Sequence, residues 1–162
     1  MPNTARPIPE GYHSITPSLT CKDAARAIEF YKSVFGATEI VRMGSPDGKV
    51  MHAELKIGDS MLMVNDEFPG LATAPGLSSG HPIYLFLYTE DVDAMYQRAV
   101  AADCRVDMPL ENMFWGDRYG KITDPFGHQW GLATHVEDVA PEEMARRSAE
   151  FTAKMAKAAG QN

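Results

Sequence analysis

The chain repeats itself. Asp23 opens one run of helical periodicity and Asp91 opens another 68 residues later, while a turn at Gly58 returns at Gly127, 69 residues on. Helix and turn signals recur in the same order around these anchors, although few residues are identical. A β-α-β-β-β unit used twice accounts for this pattern, and it restricts the fold to α+β with two tandem modules. The length of 162 residues suits about one compact domain on the usual scale of roughly 100–200.

In the first copy, a strand is expected over Ile15 to Cys21. Asp23 then caps a helix whose apolar residues Ala24, Ala27, Ile28, Tyr31, Val34 and Phe35 fall at helical spacing on one face, with Gly36 placed for a left-handed C-terminal cap. Strands follow at 38–43, 49–57 and 60–65. The first two are joined by the turn Ser45-Pro46-Asp47-Gly48, and the third is reached through Gly58-Asp59. Residues 67–81, rich in Gly, Pro and Ser, read as a linker.

The second copy begins with an apolar strand from Pro82 to Tyr88. Asp91 then caps a helix carrying Val92, Met95, Tyr96 and Ala99, and strands are expected near 104–108, 114–123 and 129–135. The modules thus span 15–66 and 82–136, preceded by an irregular arm at 1–14. A segment at 137–162 carries a further helix, with Pro141 at its first position and Met144, Phe151 and Met155 along one face. That stripe needs a partner surface, on its own module or across a dimer.

Composition narrows the partners. Hydrophobic residues make up 44% and charged residues 23%, enough for a packed core. Lys and Arg total 15 against 22 Asp and Glu, a net charge of −7, which argues against nucleic acid and anionic membrane surfaces. The longest apolar stretch, Ile83 to Tyr88, is far too short to span a bilayer. No apolar signal core marks the N-terminus, and Cys21 and Cys104 match no metal or redox spacing, so a reduced, cytoplasmic protein is expected.

The segment from Leu19 through Asp23 and Tyr31 to Gly36 resembles the first strand and helix of the vicinal oxygen chelate superfamily, which includes glyoxalase I, bleomycin-resistance proteins and extradiol dioxygenases. Asp124-Pro-Phe-Gly127-His-Gln-Trp130 resembles its closing turn and last strand. Met51-His-Ala-Glu54, Asp66-Glu67 and the run Met113 to Gly120 are similar to its PhnB-like branch. The resemblance covers about residues 14–136. It implies two modules whose strands form a half-open cup around a small-molecule ligand, and a homodimer. In metal-dependent members, the first strand of each module supplies a His or Gln and the closing strand a carboxylate or His. Here those positions carry Thr16, Tyr84, Gly131 and either Leu62 or Met63. A hydroxyl, a phenol, a glycine and a thioether do not hold a hard divalent cation against water, so neither metal nor cofactor is expected.

Strand alternation nominates other residues. On 49–57, Met51, Ala53, Leu55 and Ile57 form the side expected to meet the helices, and Val50, His52, Glu54 and Lys56 form the other. His52 and Glu54 can act as a base with its orienting carboxylate, anchor a polar ligand, or belong to a solvated face. Tyr84, Phe86 and Tyr88 alternate on the strand opening the second module and offer a stacking wall, or a core residue flanked by tyrosines. Trp115, Asp117 and Tyr119 are expected to share a strand face, with Arg118 pointing away as an ion-pair partner. His13, His81, His128 and His135 read as surface or turn residues.

The expected site therefore has His52 and Glu54 as its polar or catalytic pair. Thr16, Met63, Tyr84, Phe86, Trp115, Tyr119 and Gly131 line it. Its occupant would be an aromatic or amphipathic metabolite or drug. The other reading is a metal-dependent lyase, isomerase or dioxygenase with a displaced metal site.

Overall fold

The computed structural model describes residues 6–76 and 83–160. The first module comprises β1 (Ser18–Cys21), α1 (Ala24–Phe35), β2 (Thr38–Gly44), β3 (Val50–Ile57) and β4 (Ser60–Asp66). The second comprises β5 (Leu85–Tyr88), α2 (Val92–Ala101), β6 (Arg105–Asn112), β7 (Asp117–Thr123) and β8 (Gln129–His135), and α3 (Pro141–Ala159) follows. His81 and Pro82 lie outside the described residues. Each module forms a four-stranded mixed sheet, ordered β1-β4-β3-β2 and β5-β8-β7-β6, with its first and last strands paired in parallel.

The duplication extends to individual hydrogen bonds. Asp23 caps α1 through the Arg26 N–H and Asp91 caps α2 through the Ala94 N–H. The first amide of each helix finds a partner on the closing strand: Ala24 N donates to Asp66 at 2.8 Å, and Val92 N to the Thr134 hydroxyl at 2.9 Å. The same shift carries the β1–β4 pair Ser18/Met63 onto the β5–β8 pair Phe86/Gly131. Gly58 and Gly127 both take positive φ, the conformation their turns require.

The expected apolar stripe of α1 is buried in full. Its aromatic end reaches the other module, where the Phe35 and Trp130 ring centroids lie 4.5 Å apart and Tyr31 and Trp130 5.5 Å apart. Beneath them the buried Asp124 accepts the Tyr31 hydroxyl, the Trp130 indole N–H, and the backbone amides of Phe126 and His128. Four donors on one buried carboxylate offset the cost of removing it from water.

Some sequence expectations require correction. The first strand starts at Ser18 rather than Ile15, because Pro17 has no N–H to donate and only its carbonyl joins the ladder, to Met63 N. The stretch left between the strands expected near 104–108 and 114–123 is mostly strand. β6 runs to Asn112 through Pro109, which is tolerated because β6 is a sheet edge and bulges between Val106 and Glu111. β7 correspondingly begins at Asp117, leaving Trp115 in the turn before it. In β3, Val50 is buried and Met51 exposed, the reverse of the expected alternation. A register irregularity at Met43/Gly44 re-aims the start of β3, and Asp66 draws the Val50 amide inward at 2.7 Å.

Candidate functional site

One face of the first sheet holds one group of candidates. β3 pairs with β4 so that Glu54 stands opposite Met63, and His52 lies two residues along the same face. His52 Nε2 and Glu54 Oε1 are 3.1 Å apart, both half-buried. Leu62 turns into the core, so Met63 is the cup-facing residue of that pair. Thr16, Glu54 and Met63 line a cavity of about 530 Å³ that the arm covers with Pro7, Ile8, Pro9 and Tyr12. The Tyr12 hydroxyl is buried without a well-formed hydrogen bond, and its burial beside Glu54 pushes its pKa up to about 12. The neighbouring Tyr12 phenol, and then His52, hold the Glu54 carboxyl below its ordinary range.

The second sheet gathers the aromatic candidates. Phe86 stacks on Tyr119 with centroids 5.3 Å apart and planes within 7°. Tyr84 lies beside them with the Lys121 ammonium 4.3 Å over its ring. Burial, reinforced by the adjacent Tyr84, raises the Tyr119 phenol to about 12. All three rings converge on Gly131: a Cβ built there would lie 2.9 Å from Tyr119 Cε2 and 3.1 Å from both Phe86 Cδ2 and Tyr84 Cε2. Phe86 and Tyr88 remain 42% and 59% exposed, so the pile keeps an open outer face. Trp115 joins through Tyr119, 5.7 Å between centroids, and through its indole N–H, which donates to Asp117 at 2.9 Å.

The two groups are not one pocket. Thr16 and Phe86 share a cavity of about 190 Å³ between the modules. His52 and Glu54 do not line it. Arg118 points away as expected and holds Asp93 of α2 at 2.7 and 2.8 Å. His128 bonds the Thr20 carbonyl as a turn residue. Burial pushes both Cys21 and Cys104 up to about 12, which leaves neither as a ready nucleophile.

The sequence profile of the Glyoxalase/Bleomycin resistance protein/Dioxygenase superfamily matches residues 11–132. The chain belongs to this superfamily. An uncharacterized protein of Mycobacterium bovis is 42% identical over 135 residues, 81% of this chain and 89% of its own length. Among solved structures, TioX from Micromonospora sp. ML1 superposes with a TM-score of 0.61 at 27% identity, covering 76% of this chain and 99% of that one. The PhnB protein from Bacillus cereus, a putative 3-demethylubiquinone-9 3-methyltransferase, shares the fold at a TM-score of 0.60 and 21% identity, covering 75% of this chain and 99% of that one.

Aromatic rings crowd the candidate ligating position of the second sheet. Thr16, Met63, Tyr84 and Gly131 stand where metal-dependent members are expected to carry their ligands. At Gly131 the space a ligating side chain needs is taken by aromatic rings. These residues do not fit a divalent ion. Among the described residues, no group of three or more His, Cys, Asp or Glu is placed to hold one elsewhere.

The sequence reads His135 as a surface or turn residue, and the structure adds a buried partner. β7 and β8 place it directly opposite Asp117, and its Nδ1 lies 2.8 Å from Asp117 Oδ1. Asp117, only 2% exposed, also accepts the Tyr88 hydroxyl and Trp115 indole on Oδ2, each at 2.9 Å. The alternation Gly131, Ala133, His135 carries the signal: it puts His135 on the face already assigned to Gly131.

Proposed function

We propose that this protein is a metal-independent binder of a flat aromatic or amphipathic small molecule, in the PhnB-like branch of its superfamily. The observation that carries this reading is the convergence of Tyr84, Phe86 and Tyr119 on Gly131, which removes a ligating position and leaves aromatic surface exposed. Stacking on such a wall contributes binding without chemistry. Sequestering a compound requires no metal.

The occupant is a second matter of assembly. Val41, Met43, Phe86 and Met108 expose apolar surface on the two concave faces. A homodimer in which the first cup of one chain meets the second cup of its partner would cover these residues. It would also bring the His52–Glu54 pair to the aromatic wall as the polar anchor. The test is titration of an aromatic ligand panel by intrinsic tryptophan fluorescence, before and after exhaustive chelation, with light scattering to fix the oligomeric state. Unchanged affinity after chelation supports the reading. Binding that requires added Mn, Fe, Ni or Zn overturns it in favour of a displaced metal site.

The hydrogen bond between His52 and Glu54 favours one further reading, metal-free proton transfer with His52 as the base. In that case His52→Ala abolishes turnover while ligand affinity is nearly intact, and equal loss of both overturns it.

A further inference from the structure

We propose that His135, aligned by the buried Asp117, is a second polar anchor, at the rim of the second cup, donating a hydrogen bond to the carbonyl oxygen of a neutral, flat ligand laid against Phe86 and Tyr88. This rests on the aromatic-ligand reading and adds the group and the chemical class it selects.

The arrangement runs from inside to outside. Asp117 is buried, and three donors from three segments converge on it: Tyr88 from β5, Trp115 from the turn before β7, and His135 from the end of β8. A carboxylate so satisfied is a fixed point, and it sets the orientation of each ring that touches it. Tyr88 and His135 thereby stand together at the rim, and the His135 side chain is 50% exposed. Both line a cleft of about 920 Å³ along the edge of β5, with Phe86 between the rim and the aromatic pile. A histidine serving packing alone has no reason to present its ring to this cleft while its carboxylate partner lies beneath.

The second ring nitrogen carries the inference. His135 Nε2 is held 2.9 Å from Asp138 Oδ1, and the Asp138 side chain is fully exposed. Carboxylates on both nitrogens favour the protonated ring, the form in which both ends donate. Asp117 is fixed by burial, whereas Asp138 is tethered only by an exposed pair of the kind that contributes little. Asp138 therefore stands where the oxygen of a ligand would accept.

The charges around the cleft set the class. Its charged lining consists of Asp59, Glu90 and His135, with Asp138 beside them and no Lys or Arg among the lining residues. That surrounding disfavours an anionic ligand. An uncharged acceptor meets the N–H without repulsion, and its flat ring meets the exposed faces of Phe86 and Tyr88.

The test uses three matched probes, 1-indanone, indane and indane-1-carboxylate, titrated into the full chain with side-chain ¹⁵N-histidine spectra and calorimetry. The expected result is that 1-indanone binds tightest and shifts the His135 Nε2 resonance. His135→Leu then weakens it by about tenfold, while His135→Gln, which keeps an N–H donor, restores part of the loss. Asp138→Ala, measured below pH 6.5 where Asp117 alone still favours the protonated ring, removes the competing acceptor and tightens it by about two- to fivefold. Equal binding of 1-indanone and indane, unaffected by either His135 substitution, overturns the anchor while leaving the aromatic wall. Tightest binding of the carboxylate overturns the neutral class. No binding of any probe at its solubility limit overturns both the anchor and the aromatic-ligand reading.

Discussion

Tyr31, on the helix of the first module, donates its hydroxyl to Asp124 in the closing turn of the second at 2.8 Å, both side chains fully buried. Burial, with Asp124 beside it, holds the Tyr31 phenol well above its ordinary pKa. The bond joins two halves that are otherwise separate sheets, and it does so beneath the Phe35–Trp130 contact. Tyr31→Phe keeps the ring and removes one donor from a buried carboxylate. The expected loss is about 1–3 kcal/mol of folding stability, read from urea denaturation.

Gly131 admits no side chain without moving a ring. Gly131→Ala is expected to destabilise the fold by about 1–3 kcal/mol through overpacking against Tyr119. Gly131→Glu is expected to behave worse and to bring no metal. Calorimetric titration with Mn or Ni checks the second outcome, and a site of near-unit stoichiometry in the variant would contradict it.

His135 is expected to titrate above its ordinary value of 6.5, raised by Asp138 and then Asp117. Because the folded value is the higher one, the stability its protonation adds is complete below 6.5. It is lost as pH rises through the raised value. Asp138→Asn is expected to lower the midpoint, and ¹⁵N-histidine NMR reads both numbers directly.

Glu54 runs the opposite way. Its lowered value means that the stability it contributes is present above the ordinary 4.5 and lost as pH falls through the folded value. Tyr12→Phe removes the first of its two causes, so the Glu54 midpoint is expected to move back toward 4.5 in carboxyl ¹³C titrations.

Neither Cys21 nor Cys104 is expected to react with a disulfide reagent in the native protein at neutral pH, since burial raises both thiols to about 12. Reaction of two thiols is expected only on adding denaturant.

The parts of the fold that depend on neighbours within one turn of helix were legible in the sequence. The stripe from Ala24 to Phe35, its Asp23 cap and its Gly36 stop each act locally, and all stand where the spacing put them. The strand expected near 104–108 is the first half of β6, but its continuation through Pro109 to Asn112 was not legible, because a Pro inside a strand is excused by lying at a sheet edge, which is a property of the topology. The site divides along the same line. His52 and Glu54 are two residues apart and were readable as a pair, whereas Asp117 and His135 meet only through the β7–β8 register. The pile on Gly131 likewise arises from the parallel pairing of β5 with β8, which no local pattern records.

The glycine also bears on history. A ligand lost to drift at an open position can return by one codon change. Here the volume that a side chain at 131 would need is filled by neighbours that rest on each other as well as on the backbone. Reinstating a carboxylate at 131 would demand that Tyr84, Phe86 and Tyr119 shrink or turn aside at the same time. Until they do, each intermediate is worse folded than either endpoint. The packing thus holds the glycine in place, and substitutions that the fold tolerates fall on the shape of the aromatic wall instead.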